Sequence, residues 1–376
     1  MSKPLFYYSD RLMGYDLGEN HPLKPRRLML TVELLQSYGL FETHLERAVP
    51  ELADPDEVAQ THSRDYLEAL FRLNDGEAFP GVRKFGFGTG DNPIFRGIYE
   101  SSLLYTGASI QAAQAIIEGA GGGQVAFNIA GGLHHAHYAK AAGFCVLNDC
   151  ACAARRLRTK FARVAYIDID VHHGDGVQEL FYDDPSVLTI SLHESGQTLF
   201  PGTGFVEETG TGEGKGYSVN VPHAPYATDA VWIRAWREVA LPILKAFDPE
   251  AIVLQMGSDP HVLDPLAHMC LTAQGWLTAI QDVKALGKPI VAVGGGGYNL
   301  TTVPRMWTLA VAELAGANLP DDVPESYISY AEIPTLTDHV EIELDASTLA
   351  QAERFADKTI TSVKKLLFPY HGLLGR

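Results

Sequence analysis

Short apolar, β-branched runs alternate along the chain with longer stretches of helical periodicity. Runs of the first kind have the length and composition of buried strands and cover residues 124–129, 163–171, 187–192, 217–221, 251–256 and 289–293. Stretches of the second kind predict helices over residues 25–38, 63–73, 95–118, 146–159, 228–247, 272–286 and 304–314. This alternation predicts an α/β fold of three layers, with a mainly parallel sheet between two layers of helices.

Unusual polar clusters follow five of the predicted strands. In chain order they read AGGLHHAHY, DIDVHHGDG, HESGQTLFPGTG, GSDPHVLD and GGGGYNL. Ligand sites of parallel sheets lie outside the carboxyl ends of the strands, so five clusters at five strand ends predict one functional site at that edge.

The second cluster indicates a metal. In a strand, Asp168, Asp170 and His172 occupy alternate positions and share one face. Burying carboxylates together is costly unless a cation neutralises them. The alternative is a polar strand end whose carboxylates cap neighbouring helices, which suits one aspartate better than a group of acids and histidines. We therefore predict a divalent metal site.

A third ligand must come from another segment. Asp259, just past the predicted strand at 251–256, is the first choice, and His261 and Asp264 compete with it on spacing alone. Two carboxylate oxygens and one imidazole nitrogen around an open position suit a catalytic zinc, and Fe(II) or Mn(II) accept the same donors. Such an ion would activate water for attack on a carbonyl.

Two histidines and a tyrosine are candidates for proton transfer. His134 and His135 follow the first predicted strand, and Asp168 and Asp175 are available to orient their rings. A bare histidine pair is more typical of a surface or a helix cap, so the prediction depends on its place beside the metal cluster. Tyr298 follows four consecutive glycines, and its phenol can donate a hydrogen bond to a developing oxyanion, unless these glycines form a flexible surface loop.

Apolar side chains in the same loops suggest a slot. Phe144 and Phe200 each stand beside Gly or Pro. Two facing phenyl rings would accept an aliphatic chain such as a lysine stem, although each alone is more typical of a core. Asp91 would accept a hydrogen bond at the mouth of this slot, or else cap the helix predicted from residue 95.

Composition narrows the function classes. The 376 residues carry a formal net charge of −17, which disfavours nucleic-acid partners. Four cysteines indicate no disulfide framework, the start MSKPLFYYSD lacks a signal-peptide profile, and no apolar run approaches the length of about 18 residues that a membrane span needs. We expect a cytoplasmic protein without membrane partners.

Evenly spread hydrophobicity without a linker predicts a single domain over residues 1–376.

Together the clusters resemble the class I histone deacetylases and their bacterial relatives, the acetoin-utilization-type deacetylases. The matching strings are HPLKPRRL, GDNPIF, AGGLHHA, GFCVLND, YIDIDVHHGDGVQELFY, SLHESGQTLFPGTG and GGGGYNL, in the family's order over residues 21–300. The resemblance implies the arginase–deacetylase fold with a sheet of about eight strands. It implies a motif-bearing core over residues 21–315 and assigns no role to residues 321–376.

The resemblance also implies roles for individual residues. The zinc ligands would be Asp170, His172 and Asp259. His135, paired with Asp175, would be the general base and acid, with His134 and Asp168 as the neighbouring pair, and Tyr298 would polarise the acetyl carbonyl. The acyl-lysine tunnel would be lined by Gly143, Phe144, Phe200 and Leu266, with Asp91 at its rim and Arg27 at an internal acetate-exit cavity.

Two structural potassium ions are implied as well. One would bind side-chain oxygens of Asp168 and Ser191 and main-chain oxygens of Asp168, Asp170, His172 and Leu192. The other would lie near Phe181, Asp184, Val187 and Tyr217.

The chain departs from the family pattern in three places. GSD replaces Gly-Ala-Asp at residues 257–259, HYAKAAG lacks the frequent Lys-Lys, and Val146 stands where a tyrosine is common. These changes alter the rim and the tunnel floor, so we expect them to affect substrate preference rather than the chemistry.

The sequence thus predicts a zinc-dependent amidohydrolase that removes acetyl groups from lysine side chains of proteins, with an acetylated protein as its partner. One alternative is a deacetylase of acetylpolyamines or other small acylated amines. Another is a non-catalytic acetyl-lysine-binding protein, which the presence of all the candidate ligands, both histidines and the tyrosine disfavours.

Overall fold

One sheet organises the fold, and the structure, a computed structural model, describes residues 3–339 and 342–373. The strands of these residues are β1 (Leu5–Tyr7), β2 (Glu46–Ala48), β3 (Val125–Asn128), β4 (Val164–Asp168), β5 (Val187–Glu194), β6 (Ser218–His223), β7 (Ala251–Gln255) and β8 (Ile290–Val293). They lie in the order β2-β1-β3-β8-β7-β4-β5-β6, and every pairing is parallel. The predicted α/β fold is confirmed.

Helices cover both faces of the sheet. The α-helices of the described residues are α1 (Arg26–Ser37), α2 (Leu40–Thr43), α3 (Pro55–Val58), α4 (Arg64–Arg72), α5 (Ile98–Glu118), α6 (Asp149–Arg158), α7 (Asp175–Leu180), α8 (Asp229–Ala235), α9 (Leu241–Phe247), α10 (Ala273–Lys284), α11 (Thr302–Ala315), α12 (Glu325–Ala331) and α13 (Ala346–Leu367). α5 and α6 pack on one face, and α1, α10, α11 and α13 cover the other. Among these helices, none is long and apolar enough to cross a membrane.

The pattern along β4 explains the two layers of helices. Val164 and Tyr166 belong to the apolar cluster on one face, Ala165 and Ile167 belong to the cluster on the other, and all four side chains are buried. A parallel strand that is buried on both faces reads as a continuous apolar run. The run stops at Asp168, where the site begins.

The predicted strand at 163–171 is wrong at its end, because β4 stops at Asp168. Asp168 Oδ1 accepts the backbone N–H of Asp170 at 3.1 Å and turns the chain out of the sheet. Asp170 and His172 therefore lie in the loop beyond the strand. β1 and β2 escaped prediction because each has three residues, too few to show a period of two.

Two predicted helices also differ in detail. The helix predicted over 95–118 begins at Ile98 with Gly97 as its N-cap, so Asp91 does not cap it. The helix predicted over 228–247 contains a π-helical turn, Trp236–Ala240, between α8 and α9.

The C-terminal stretch folds onto the edge of the sheet. α13 packs against β6, and Thr359 Oγ1 donates a hydrogen bond to the carbonyl of Pro222 at 3.1 Å. The buried positions of α13 recur every three or four residues, the pattern of an amphipathic helix. These positions include Ala352, Ala356, Ile360, Val363 and Leu367.

Candidate active site

Three buried side chains converge where β4 and β7 end. Asp170 and His172 lie in the loop after β4, and Asp259 lies in the loop after the adjacent β7. His172 Nδ1 is 3.2 Å from Asp170 Oδ1 and 3.1 Å from Asp259 Oδ2. Zinc bonds of about 2.0–2.2 Å place tetrahedral ligand atoms roughly 3.4 Å apart, so these donors fit such an ion.

The competing candidates from the same loop are engaged elsewhere. His261 Nε2 lies 2.9 Å from Asp338 Oδ2. Asp264 accepts the backbone N–H groups of Leu266 at 3.0 Å and Tyr298 at 2.8 Å. The structure therefore brings Asp259, and neither of its rivals, to Asp170 and His172.

The charges of this cluster call for a cation. Burial, followed by the charge of Asp170, raises the pKa of Asp259 to about 7. Burial would lower the pKa of His172, but its hydrogen bonds to Asp170 and Asp259 outweigh burial and raise it to about 10. Two buried carboxylates thus share one imidazole, and a divalent ion would satisfy all three groups.

A second group of donors, His134, Asp168 and Asp170, also converges. Asp168 Oδ2 already accepts hydrogen bonds from His134 Nδ1 at 2.7 Å and from the Tyr166 hydroxyl at 2.5 Å. Because these bonds occupy the carboxylate that a metal would need, the cluster of Asp170, His172 and Asp259 is the better metal site.

The adjacent histidines form two histidine–carboxylate pairs. His135 Nδ1 lies 2.7 Å from Asp175 Oδ1, as His134 Nδ1 does from Asp168, and the two Nε2 atoms are 3.0 Å apart. Burial lowers the pKa of His135 to about 4, aided by the charge of His134. For His134, the carboxylates of Asp168 and Asp170 outweigh burial and raise the pKa to about 9. The pair therefore offers a neutral base beside a protonated neighbour.

Two buried side chains hold the histidine loop in place. Asn148 Nδ2 donates hydrogen bonds to the carbonyls of His134 at 3.1 Å and Ala136 at 2.9 Å. His62 accepts the backbone N–H of Asn148 at Nε2 (2.9 Å), and its Nδ1 donates to the carbonyl of His137 (3.0 Å). This arrangement requires His62 to be neutral, since a second ring proton would break the bond to Asn148.

His62 should therefore make the fold sensitive to acid. Burial lowers the pKa of His62 from 6.5 to about 4, so its contribution to stability is complete above pH 6.5 and is lost as the pH falls towards 4. The difference between the free energies of unfolding of the wild type and of His62→Gln should therefore fall by about 3 kcal/mol between pH 6.5 and pH 4. Urea unfolding of both proteins at several pH values measures this difference. Parallel pH curves would contradict it.

The four consecutive glycines make room for the cluster. All four, Gly294–Gly297, are buried, so the alternative of a flexible surface loop is wrong. A Cβ atom at Gly296 would lie 2.0 Å from Asp259 Oδ2, and one at Gly295 would lie 2.3 Å from Gln255 Nε2. The N–H of Gly296 donates to Asp170 Oδ2 at 2.7 Å. Only glycine lets this backbone approach the carboxylates so closely.

A tunnel leads from the surface to the cluster. It is a cavity of about 220 Å³ lined by Asp91, His135, Gly143, Phe144, His172, Leu199, Phe200, Leu266 and Tyr298. All five residues that the sequence assigned to substrate binding are among them. Gly143 has a φ of 49°, and a Cβ there would lie 2.4 Å from His135 Cδ2 and 2.8 Å from Phe200 Cε1. A side chain at Gly143 would therefore obstruct the wall of the tunnel.

Tyr298 stands between the tunnel and the cluster. Its ring centroid lies 5.8 Å from that of Phe144 and 6.3 Å from that of His172. Burial, followed by the charges of Asp259 and Asp170, raises the pKa of Tyr298 well above 10. The phenol therefore stays protonated and can donate a hydrogen bond in the tunnel.

Comparison with known proteins places this site and fold in one family. Residues 21–314 match the family model described as the histone deacetylase domain. The chain belongs to the histone deacetylase family. Two relatives are histone deacetylase clr6 of Schizosaccharomyces pombe, 40% identical over 332 residues, and acetoin utilization protein AcuC of Bacillus subtilis, 36% identical over 341 residues. The matches cover 87% of this chain in both cases, with 81% of clr6 and 86% of AcuC.

A solved structure supports the same relationship. The HDAC homolog from Aquifex aeolicus superimposes with a TM-score of 0.86 at 32% sequence identity, covering 97% of this chain and 100% of that chain. Both the resemblance and the arginase–deacetylase fold that it implied are confirmed.

Two further residues of this site, Gln255 and Leu199, could not be predicted from the sequence. Gln255 ends β7 and donates from Nε2 to Asp170 Oδ2 at 2.7 Å; a polar residue at the end of an apolar strand was the available signal. Leu199 lines the tunnel beside Phe200. Neither contact could be assigned from spacing.

His137 begins the HYAKAAG segment, one of the three places where the chain departs from the family pattern. Its Nδ1 lies 2.5 Å from Glu179 Oε2 and its Nε2 lies 3.4 Å from Asp175 Oδ2. These two carboxylates raise the pKa of His137 to about 9. The HYAKAAG segment was expected to affect substrate preference; the structure adds a contact to Asp175, the partner of His135.

The structure also shows the surroundings of Arg27 and Ser191, which the resemblance assigned to the acetate-exit cavity and to a potassium site. Arg27 is buried, lines a small cavity of about 20 Å³, donates to the carbonyl of Gly297 at 3.0 Å and lies over the ring of Trp307. Ser191 pairs in register with Asp168, and its Oγ lies 2.8 Å from His193 Nδ1. The acetate-exit role of Arg27 stays a prediction.

The residues predicted for the second potassium site lie in and beside the turn that precedes β5. The carbonyl of Phe181 accepts the N–H of Asp184 at 3.1 Å, and that of Asp184 accepts the N–H of Val187 at 3.4 Å. The carbonyl of Tyr217 accepts the N–H of Thr189 at 2.9 Å. Leu192, of the first site, lies on β5. Both potassium sites stay predictions.

Proposed function

We propose that this protein is a metal-dependent deacetylase that removes acetyl groups from lysine side chains of proteins. The observation that carries the proposal is a mostly apolar tunnel that reaches His172 of the metal cluster, with His135 and Tyr298 also in its wall. Membership of the histone deacetylase family supports deacetylation as the reaction.

The metal would be held by Asp170, His172 and Asp259. A divalent ion there would supply Lewis acidity towards an acyl oxygen and lower the pKa of water. We propose zinc, and Fe(II) accepts the same ligands. Gln255 and the N–H of Gly296 hold the second oxygen of Asp170, which orients that carboxylate.

The protein's own groups would manage the protons. His135 is neutral and faces the tunnel, so it can take a proton from the attacking water while Asp175 stabilises the imidazolium that results. That imidazolium would then give the proton to the lysine amine as its bond to the acyl carbon breaks. His134, 3.0 Å away, is held by Asp168 and would supply the neighbouring charge. The Tyr298 phenol would donate to the acyl oxygen as negative charge develops on it.

The tunnel is suited to the stem of a lysine. Phe144 and Phe200 supply two apolar walls, and the ring of Phe200 meets that of His135 edge to face with centroids 4.9 Å apart. Asp91 is exposed at the mouth, where its carboxylate would accept an N–H of the substrate backbone. A peptide presents that N–H group beside the acylated side chain, whereas a polyamine has no peptide backbone.

The choice of substrate can be tested directly. We expect kcat/KM for an acetyl-lysine peptide to exceed that for acetylspermidine by at least about tenfold, or 1.4 kcal/mol, because only the peptide offers backbone donors to Asp91. Acetate release would be measured for both substrates with the same enzyme. Asp91→Asn, which keeps the shape of the side chain but weakens the acceptor, is the matched variant. It should lower the ratio of kcat/KM for the peptide to kcat/KM for acetylspermidine.

Two results would contradict the proposed function and favour one of the two alternatives. Faster turnover of acetylspermidine would favour the alternative, a deacetylase of small acylated amines. Binding of the acetylated peptide without release of acetate, in metal-loaded protein, would favour a non-catalytic acetyl-lysine-binding protein.

A further inference from the structure

A carboxylate from outside the matched family region reaches the loop behind the tunnel. Asp338 lies beyond residues 21–314, and its Oδ2 accepts hydrogen bonds from His261 Nε2 at 2.9 Å and from the N–H of Ala273 at 2.7 Å. Its Oδ1 accepts a hydrogen bond from Arg305 at 2.9 Å. Both oxygens of Asp338 are therefore committed to distant parts of the chain.

Asp338 belongs to the segment of residues 321–339, which we call the strap. Hydrogen bonds within the strap and contacts with the rest of the chain hold it in place. Asp321 Oδ1 accepts the N–H and the hydroxyl of Thr337 at 2.8 and 2.7 Å. The side chain of Gln274 donates to the carbonyl of Asp338 at 2.9 Å and accepts its N–H at 3.0 Å. An apolar cluster holds the strap to α1; its buried members are Leu34, Val323, Tyr327, Ile333 and Leu336.

The loop that Asp338 contacts, residues 260–271, belongs to the site. A β-bridge between His261 and Leu271 closes the base of the loop. Within the loop, Asp264 accepts the N–H of Tyr298, and Leu266 lines the tunnel. Asp338 binds one end of this loop at His261 and the residues just beyond its other end at Ala273.

His261 needs an acceptor at this position. It is buried, and its Nδ1 accepts the N–H of Leu263 at 3.1 Å, so the ring proton lies on Nε2. A buried N–H group without an acceptor is unfavourable, and Asp338 is the acceptor. Loss of Asp338 would therefore leave this N–H unpaired and weaken the base of the loop, which would then depend on the bridge between His261 and Leu271.

We propose that Asp338 is a positioning residue: it orders the loop at 260–271, fixes the tunnel wall at Leu266 and so limits the bulk of the acyl group that can pass along the tunnel. The part of this inference that concerns acyl chains rests on the proposed deacetylase function. The part that concerns the loop rests on the contacts of Asp338 alone.

Two variants of Asp338 separate these contacts. Asp338→Ala removes every hydrogen bond of the side chain, whereas Asp338→Asn can present its carbonyl oxygen to His261 and Ala273 and lose only the acceptor for Arg305. We expect Asp338→Ala to accelerate hydrogen exchange at the amides of residues 262–271. We also expect it to raise the ratio of kcat/KM for butyryl-lysine to that for acetyl-lysine peptides about tenfold, while Asp338→Asn stays near the wild type.

Asp345→Ala is the matched control, because Asp345 caps α13 and makes its hydrogen bonds to Ser347 and Thr348. It should leave both readouts unchanged. If Asp338→Ala does not fold, His261→Asn is the second variant: its Oδ1 can accept the N–H of Leu263 as Nδ1 does, but its shorter amide does not reach Asp338, so it should accelerate the same exchange.

Unchanged exchange over residues 262–271 in Asp338→Ala, or in the His261 variant if Asp338→Ala does not fold, would overturn the positioning role, whatever the activity. Faster exchange with an unchanged acyl ratio would overturn the role in selectivity. Faster exchange in a protein that deacetylates neither peptide would instead count against the proposed function and leave the positioning role in place.

Discussion

Replacing Asp259 by asparagine is expected to remove both the metal and the activity. The amide keeps the size of the side chain but loses the charge that the cluster needs, so we expect metal content to fall to background. Turnover of an acetyl-lysine peptide should fall by at least about 10³-fold, which corresponds to about 4 kcal/mol of transition-state stabilisation. Elemental analysis of the purified protein and initial rates measure the two effects.

Asp264→Asn is the matched control for that experiment. Asp264 lies five residues further on, yet its carboxylate accepts N–H groups of Leu266 and Tyr298 rather than facing His172. We expect this variant to retain its metal. Metal loss in Asp264→Asn together with retention in Asp259→Asn would show that the ligands are assigned wrongly.

Metal binding should also be visible in stability. An ion that binds only the folded state at about 1,000 times its Kd adds about 4 kcal/mol to the free energy of unfolding. A chelator should therefore lower the thermal midpoint of the wild type and leave that of Asp259→Asn unchanged. An equal response of both proteins would contradict the site.

The second large effect is expected for Tyr298→Phe. In the proposed mechanism the hydroxyl would donate to an acyl oxygen, and that bond would strengthen as negative charge develops in the transition state. Loss of one such donor should lower kcat about 10²–10³-fold and leave KM within about twofold. Steady-state kinetics with an acetyl-lysine peptide measure both parameters.

Metal content must be equal in wild type and Tyr298→Phe for this comparison. The backbone N–H of Tyr298, which Asp264 accepts, is retained in the variant, so the loop should keep its position. A raised KM with an unchanged kcat would assign Tyr298 to substrate binding rather than to the chemistry.

The sequence by itself determined the sheet and the place of the site. Strands β3, β4, β7 and β8 show nearly continuous apolar runs because both faces of a parallel strand are buried, β5 and β6 alternate apolar with polar residues, and both patterns are local. The chemistry of the strand ends is also local, so the candidates at Asp170, His172, His134 and His135 could be named from the residues that follow each run. The likeness of these strings to histone deacetylases then supported Asp259 as the third ligand and added Gly143 and Leu266 to the tunnel.

The tertiary structure decided what depends on contacts between distant segments. Asp259 was the first choice, but spacing alone left His261 and Asp264 in competition with it. Only packing shows that His261 binds Asp338, 77 residues further along the chain. The turn that ends β4 at Asp168 and the contact of His137 with Asp175 were likewise invisible in the pattern. Periodicity reports which side of an element is buried, whereas the partner of a polar group is fixed by how the elements pack together.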